Sequence, residues 1–405
     1  MIGQTIYLAL GYTLIFAGFY EATSFLTILY GDNAFISFAI FPGVYSIFSL
    51  CSPYIVSKLN LRLSIAISSF SYLLFCGAIG SLNLPLMLAA SGICGAFNAI
   101  FWLCQALWMI NYPVNERSSL IGLFFGIFGA NIIIGNIIAL IVLLTGLSVQ
   151  IMIWIMVGVV GIGVVMLIFI PPFSYHELFK IIHKNDQQIN LVKSIKDVFT
   201  IVLEKRGYLL IPMFIVQAAD LNVSFQIITR LLIVNSHGNK LVNIYNAAMY
   251  LAYGITSAIS AVLFGKIYSK FGWQYVLISY SVLNIICIIG IILLATLSSN
   301  GPMELWIIIG SIKGIVDYAL NILINVPISN TYQDKANLMF GLYRFVYPIA
   351  NMLISIMVGY IWYPWILLIN GICVIITAIS LWIFLINDDI EVQFDRSSIT
   401  ISNVD

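Results

Sequence analysis

Five charged residues of this 405-residue sequence stand inside long apolar segments: Glu21, Asp220, Lys313, Asp317 and Arg344. A charged side chain at the depth of a lipid bilayer costs roughly 2.5–3.5 kcal/mol on insertion scales. We therefore expect each of these side chains to face a partner or a polar cavity. Such a set can bind a proton, a small ion or a polar solute, or it can form fixed ion pairs between helices.

One apolar segment carries a polar stripe, because Lys313, Asp317, Asn321 and Asn325 recur at every fourth residue. Residues four apart lie on the same face of a helix, and a helix in lipid cannot expose such a face. The stripe therefore predicts contact with other helices or with a cavity. The same spacing groups residues in three other segments, namely Asn98, Trp102 and Gln105, then Gln217, Asp220 and Ser224, and finally Arg344, Tyr347 and Asn351.

These charges admit two interpretations. Lys313 and Asp317 lie one helical turn apart and could pair with each other, while Arg344 could pair with Asp317 or Asp220, so that all four would be permanent struts between helices. Alternatively, they bind or gate a solute in a shared cavity. Glu21 differs, because no cation of the N-terminal half lies at a similar depth. It is expected to be either a neutral acid that is hydrogen-bonded to a neighbouring helix, or a site for a proton or cation.

The composition excludes several classes of protein. With 61% hydrophobic and 8% charged residues, the chain has too little polar surface for a water-soluble globular protein, and its first partner is the lipid bilayer. A net charge of +1 gives no reason to expect a nucleic-acid partner. The six cysteines form no C-x-x-C pair and the three histidines do not cluster, so neither a metal site nor catalytic residues are predicted. Without a Gly-Lys-Ser/Thr motif, no cofactor such as ATP is expected, and the chain is not expected to be an enzyme.

Apolar segments long enough to cross a bilayer core of about 30 Å predict twelve transmembrane helices. They span 5–29, 35–57, 61–80, 84–110, 118–143, 149–170, 207–233, 242–265, 273–295, 303–328, 337–360 and 363–386. A polar connection divides them six and six, which predicts an N-terminal bundle at 1–170, a linker at 171–206, a C-terminal bundle at 207–386 and a tail at 387–405. Within the linker, residues 187–204 have apolar positions at helical spacing and predict a short amphipathic helix on the membrane surface.

Lysine and arginine predict the orientation. The connections on the side of the two termini, with the tail, carry 13 of the 17 basic residues. The connections on the other side carry Lys240, with Arg230 near the same border. Because cytoplasmic loops are enriched in Lys and Arg, both termini, the linker and the tail are predicted to be cytoplasmic. The sequence does not indicate which membrane holds the chain.

The two halves of the sequence resemble each other. The segment Tyr54–Asn60 reads YIVSKLN, and Lys266–Gly272 reads KIYSKFG. Likewise, Ile121–Asn131 reads IGLFFGIFGAN and Phe340–Asn351 reads FGLYRFVYPIAN. Because these matches occur in the same order at separations of 212 and 219 residues, they predict two parallel six-helix repeats.

Three segments of the first half resemble the major facilitator superfamily, and within it the Unc-93-like branch. They are FYEATSFL (Phe19–Leu26), FWLCQALWM (Phe101–Met109) and GLFFGIFGANIIIGN (Gly122–Asn136). In that branch the fourth span ends in a signature like W-x-G-Q-G-x-Y, of which this chain keeps Trp102 and Gln105 while the glycines are replaced. The resemblance implies an all-α integral membrane fold in which spans one, four, seven and ten surround a central cavity.

The resemblance implies two alternative activities. One expectation is secondary transport of a small polar solute by alternating access. The alternative is a non-transporting regulatory or trafficking subunit of an ion channel or receptor, for which the partner would be another membrane protein. In the transport interpretation, the residues expected to bind the solute or a coupling ion are Glu21, Asn98, Trp102, Gln105, Asp220, Lys313, Asp317, Asn321, Arg344 and Tyr347.

Overall fold

The computed structural model describes residues 2–110, 120, 123–171, 191–235, 241–297, 304–332 and 336–402. The regular structure of these residues is entirely helical, as the apolar segments predict. The helices of the N-terminal half are α1 (Ile2–Ser24), α2 (Ala34–Lys58), α3 (Leu61–Gly80), α4 (Leu84–Ile110), α5 (Asn131–Leu144) and α6 (Val149–Ile168). Those of the C-terminal half are α7, which begins with Ile211–Asn222, then α8 (Val242–Phe271), α9 (Trp273–Leu297), α10 (Glu304–Thr331), α11 (Ala336–Tyr360) and α12 (Tyr363–Ser402).

Eleven stretches of the described residues are long and apolar enough to cross a membrane. The first of them, Ile2–Ser52, has 51 residues and holds two crossings, α1 and α2. A short helix (Leu26–Tyr30) and a turn (Gly31–Asn33) reverse the chain between them, and Gly31 has the positive φ of 57° that glycine adopts most readily. Counted this way, the described residues form twelve crossings, and the prediction of a multi-pass membrane protein is confirmed.

Two transmembrane helices are irregular in the middle. Residues 123–128 are helical and a turn at 129–130 separates them from α5, whereas the sequence predicts one helix over 118–143, of which 118, 119, 121 and 122 lie outside the described residues. In α7, a π-helical turn (Val223–Ile227) joins Ile211–Asn222 to Ile228–Asn235. A π-turn inserts one extra residue per turn and is common at functional sites.

The linker and the tail are described in part. Leu191–Thr200 forms the amphipathic helix predicted at 187–204, in a shorter form, and residues 172–190 lie outside the described residues. This helix packs against α2 and α11, and the ring centroids of Phe199 and Phe345 are 5.4 Å apart. No proline or glycine occurs between residues 387 and 402, and α12 continues to Ser402, so that the predicted tail starts as an extension of this helix.

The two halves meet along two helix pairs, α2 with α11 and α5 with α8. Glycines allow the close approach, since a Cβ atom on Gly43 would lie 2.5 Å from Met352 Sδ and one on Gly254 would lie 2.8 Å from Ile132 Cγ2. A hydrogen bond from Ser46 Oγ to the Phe345 carbonyl oxygen, 3.0 Å long, also joins α2 to α11.

The apolar packing differs between the two ends of the bundle. We call the side on which α1 begins and α12 ends the terminal face, and the other side the opposite face. At the terminal face, the apolar core of the C-terminal half consists, among the described residues, of linker and C-terminal residues alone. At the opposite face, the core of the C-terminal half includes Phe35 of α2 and packs against Tyr20 and Phe38. The halves therefore share an apolar core at the opposite face.

Candidate functional site

The predicted charges of α7 and α10 form one buried cluster. Lys313 Nζ lies 2.7 Å from Asp220 Oδ1 and 3.2 Å from Asp317 Oδ1. The predicted pair of Lys313 and Asp317 is therefore present, and Asp220 joins it from the neighbouring helix. We call these three residues the ion triad. Lys313 and Asp220 are almost fully buried, whereas the side chain of Asp317 is 12% exposed.

Asp220 is surrounded by hydrogen-bond donors from three other helices. The Tyr280 hydroxyl donates to Oδ2 at 3.1 Å, and the Asn284 amide donates to both oxygens at 3.1 Å. The Asn370 amide donates to Oδ1 at 3.2 Å. With Lys313, the donors come from α9, α10 and α12. All of these groups donate to the Asp220 carboxylate or carry positive charge, so that both of its oxygens have partners inside the helix bundle.

Asp317 has a different set of neighbours. Its Oδ2 accepts hydrogen bonds from the Tyr253 hydroxyl at 2.6 Å and from Ser224 Oγ at 3.3 Å. Ser224 lies in the π-helical turn and also donates to the Asp220 carbonyl oxygen at 2.9 Å. Ser224, in the π-turn, therefore links the backbone of Asp220 to the side chain of Asp317.

The rest of the α10 stripe continues toward the terminal face. Gln217 Nε2 donates to Asn321 Oδ1 at 3.1 Å, and Tyr343 donates to Gln217 Oε1 at 2.6 Å. The Asn321 and Asn325 amides each donate to the carbonyl oxygen one turn earlier, and Asn325 is exposed. The stripe is thus buried at Lys313 and reaches the surface at Asn325.

The predicted pairing of Arg344 is wrong. Three ion pairs within 4 Å are present among the described residues, and none of them contains Arg344. Lys313 occupies the oxygens that Arg344 was expected to meet, because it lies on the same helix as Asp317 and next to α7. Arg344 instead lies within electrostatic range of the hydroxyls of Tyr12 and Tyr45, which belong to the N-terminal half, and of Tyr343.

Glu21 is a buried acid apart from the triad. Its side chain is 1% exposed, and neither carboxylate oxygen has a hydrogen-bond partner among the described residues. The expected hydrogen bond to a neighbouring helix is therefore absent from that part of the chain. The aromatic hydroxyl of Tyr250 on α8 lies within electrostatic range.

The other predicted site residues belong to two aromatic groups. In the N-terminal half, the Trp102 ring packs on Phe16 and Phe128 at centroid distances of 5.2 and 5.5 Å. On the same helix, Asn98 accepts a hydrogen bond from the Tyr72 hydroxyl, and Gln105 is buried. In the C-terminal half, the rings of Tyr347 and Tyr343 are 5.6 Å apart. The structure thus brings Asp220, Lys313 and Asp317 together, and places Asn98, Trp102 and Gln105 in the core of the other half.

Four partners of the triad are absent from the sequence prediction: Tyr253 on α8, Tyr280 and Asn284 on α9, and Asn370 on α12. A signal for two of them exists, because Tyr280 and Asn284 are four residues apart in an otherwise apolar helix. Asn370 is a lone amide with no such periodicity. The sequence could therefore have indicated a polar face on α9, but not the helix that it meets.

The space around Lys313 is tightly packed in this arrangement. A gap beside Lys313 is too narrow to admit a water molecule, and its other lining residues are Ser224, Ile228, Met249, Tyr250, Tyr253 and Gly310. No group of three His, Cys, Asp or Glu side chains that could hold a metal ion occurs among the described residues.

A contact at the opposite face joins the two halves directly. The Arg230 guanidinium on α7 lies 3.2 Å from Asp32 Oδ1, between α1 and α2, and 5.1 Å above the centre of the Phe35 ring. It also donates a hydrogen bond of 3.1 Å to the Val358 carbonyl oxygen on α11. We call Arg230, Asp32, Phe35 and Val358 the closure cluster. With the shared apolar core, it closes this face of the bundle.

Comparison with known proteins gives a family and a fold. The family described as "Ion channel regulatory protein UNC-93" matches residues 30–382. No curated protein matches the chain. A mutant of the nucleoside transporter NupG is similar in structure, with 14% identity, a TM-score of 0.69 and coverage of 95% of this chain and 99% of that one. A second structure of NupG has 15% identity, a TM-score of 0.65 and coverage of 94% and 99%. At these identities the likeness shows the fold alone, which is that of a major facilitator transporter.

Proposed function

Because the chain belongs to the UNC-93 family and has the major facilitator fold, we propose that it moves a small polar solute across the membrane by alternating access of its two halves. In this proposal, residues 1–170 and 207–386 are the moving bundles, residues 171–206 link them, and residues 387–405 form the tail. Both termini lie in the cytoplasm, as the distribution of Lys and Arg predicts. The compared family and structures are not enzymes, and we propose no catalysed reaction for this chain.

The observation that supports transport is the unequal joining of the halves. At the opposite face they share an apolar core and the closure cluster, whereas at the terminal face the described core of the C-terminal half holds no N-terminal residue. A bundle that is closed on one side and separable on the other is one of the two states that alternating access requires.

The solute would bind between the two halves when they part. Arg344 has no acidic partner among the described residues, and Tyr347, Gln105 and Trp102 lie on α11 and α4. The ion triad would act as a gating group, or as a binding group when the halves part. Because these residues offer a cation, amides and aromatic rings, a zwitterionic or otherwise polar organic solute fits this set better than a lipid does.

Alternating access can be tested without knowing the solute, by labelling a buried position of the closure cluster. A Val358→Cys variant should react slowly with a membrane-impermeant thiol reagent, because Val358 is 2% exposed. Adding Arg230→Ala removes an exposed ion pair and a cation–π contact, worth about 1–2 kcal/mol together, so that labelling should accelerate about 5- to 30-fold. Peptide mass spectrometry separates this label from labels on the partly buried Cys51 and Cys373.

The matched control for this labelling is Lys196→Ala, which removes an exposed cation from the linker helix and should leave the rate unchanged. If the cysteine of Val358→Cys reacted at the same rate with and without Arg230→Ala, the result would argue against opening of the opposite face.

Glu21 is proposed to carry a proton during transport. In Glu21→Gln, uptake driven by a pH gradient should fall to the background of empty liposomes, because glutamine keeps the shape but cannot ionise. Exchange of solute without a pH gradient should persist. The measurement is uptake into liposomes that contain the purified chain, with radiolabelled nucleosides as the first probe because the similar folds include a nucleoside transporter. Gradient-driven uptake that equals the wild-type rate would remove Glu21 from the mechanism.

The regulatory function is the second candidate, and the description of the matched family favours it. In that case the ion triad would be a permanent strut, and the surface would dock on a channel or receptor. Liposomes that contain the chain alone decide between the two functions. Movement of a solute or of protons supports transport, whereas inert liposomes together with co-purification of a channel support regulation.

A further inference from the structure

The ion triad contains one base and two acids. If all three groups were ionised, one positive and two negative charges would leave a net charge of −1 inside the membrane. The remaining described groups that hydrogen-bond to the two carboxylates are neutral, namely Ser224, Tyr253, Tyr280, Asn284 and Asn370. An uncompensated charge in a buried site is costly, and two carboxylates that share a site compete to ionise. A proton on one of the two acids would make the ion triad electrically neutral.

Asp220 is poorly suited to hold that proton. Each of its oxygens faces a group that can only donate, namely the Asn284 and Asn370 amides and the Lys313 ammonium group. The remaining partner, the Tyr280 hydroxyl on Oδ2, already accepts a hydrogen bond of 3.2 Å from the Asn284 amide. Protonation would place a hydrogen among these donors, and it would give up the contact of 2.7 Å with Lys313 Nζ. Asp220 is therefore the acid that stays ionised.

Asp317 can accommodate either state. Its Oδ2 is hydrogen-bonded to two hydroxyl groups, those of Tyr253 and Ser224. A hydroxyl group can donate a hydrogen bond to a carboxylate or accept one from a carboxylic acid. Ser224 already has another acceptor for its hydrogen, the Asp220 carbonyl oxygen at 2.9 Å, and its lone pairs can then face a protonated Asp317. Asp317 is also the most exposed member of the triad and has the longer contact with Lys313.

We propose that Asp317 is a proton-binding site that takes up a proton on Oδ2 and releases it again, while Asp220 stays ionised and paired with Lys313. The proton comes from water and returns to water, and no bond other than that O–H bond is made or broken. This inference rests on the proposed transport function, to which it adds a second proton-binding residue beside Glu21. Protonation frees Lys313 from Asp317, so that the ammonium group pairs with the α7 acid alone.

Other titratable groups surround this site and belong to several helices. Lys313 and Tyr318 share α10 with Asp317, and Asp220 faces it from α7. The remaining groups within electrostatic range of Asp317 are Tyr253 on α8, Tyr280 and Cys287 on α9, and Tyr347 on α11. Asp317 differs from Asp220 in that the partners of its Oδ2 are hydroxyl groups alone, and for this reason the proton is assigned to it.

Infrared spectroscopy of the purified full-length chain in lipid nanodiscs tests this assignment, since a protonated carboxyl has a C=O band that an ionised one lacks. Samples labelled with carbon-13 aspartate distinguish aspartate bands from that of Glu21. Because the sequence has ten aspartates, the assignment is read from the difference between the two spectra: one aspartate carboxyl band that the wild type gains on acidification should be missing from Asp317→Asn. Asp220→Asn and Glu21→Gln should retain it. Tyr253→Phe keeps all the acids and should shift the frequency of the band, because one hydrogen-bond partner of the carboxyl is removed.

Identical aspartate carboxyl bands in the wild type and in Asp317→Asn at every pH would overturn the assignment. Loss of the assigned band in Asp220→Asn, with a Tyr253→Phe spectrum that matches the wild type, would overturn it as well. The test is independent of transport: inert liposomes with an intact titration would remove the proposed function alone, whereas active liposomes without the band would remove this site alone.

Discussion

Replacing Lys313 with methionine is expected to lower the free energy of unfolding by about 3–5 kcal/mol, because it leaves two adjacent buried acids without their cation. Methionine has a similar length and adds no new polar group, so that the effect reports mainly the lost charge. Unfolding of the detergent-solubilised chain, followed by heat or denaturant, measures the change. Gradient-driven uptake should be lost as well, since the same ammonium group balances Asp317.

Two variants serve as controls for this prediction. Lys196→Met on the linker helix removes an exposed lysine, and its stability should stay within about 0.5 kcal/mol of the wild type. Adding Asp220→Asn and Asp317→Asn to Lys313→Met neutralises the whole triad and should restore most of the lost stability, because neutral buried groups escape the charge penalty. A Lys313→Met variant as stable as Lys196→Met would show that the triad does not hold α7 and α10 together.

Gly314→Ala is expected to destabilise the chain by about 1–3 kcal/mol, because no space exists for the added methyl group. Its Cβ would lie 2.3 Å from the Tyr253 carbonyl oxygen, 2.5 Å from Thr256 Oγ1 and 2.9 Å from Ser257 Oγ. The α8 helix must then move away from α10. That movement also pulls the Tyr253 hydroxyl from Asp317, so the infrared band assigned to Asp317 should change together with stability.

The chain offers a matched control for this substitution. Gly265 lies on α8, the helix against which Gly314 of α10 packs, and a Cβ atom on Gly265 would have no neighbour within 4 Å. Gly265→Ala should therefore be neutral, or stabilising by up to about 1 kcal/mol through helix propensity. If unfolding measurements gave the same result for both alanine variants, the close packing of α8 on α10 would not limit stability.

The helices could be predicted from apolar segments with small errors at their ends. The predicted segments 61–80 and 84–110 coincide with α3 and α4. The predicted end of span eight at residue 265 is six residues early, because Lys266 and Lys270 were interpreted as stops, whereas α8 ends at Phe271. Charged residues can continue a helix beyond the membrane. The stop comes from Gly272, which has a φ of 93°, a value that most residues adopt only with strain.

The candidate site could be predicted only in part. Residue spacing identified the polar face of α10, and the Lys313–Asp317 pair follows from one helical turn. Which helix packs against that face depends on tertiary structure, and the spacing does not contain this information. For the same reason, Asn370 was missed and Arg344 was assigned the wrong partners. The π-turn in α7 was also not predictable, because its residues have no helix-breaking proline or glycine.

This π-turn separates the first segment of α7, which holds Asp220, from the last one, which holds Arg230. If the extra residue were expelled and the turn became a regular α-helix, the last segment would twist by about 100° relative to the first. The Arg230 side chain would then swing away from Asp32 and Phe35. A shift of the hydrogen-bond register at this single point would therefore couple the ionisation of acids deep in the bilayer to the contact that holds the two bundles together at the membrane surface.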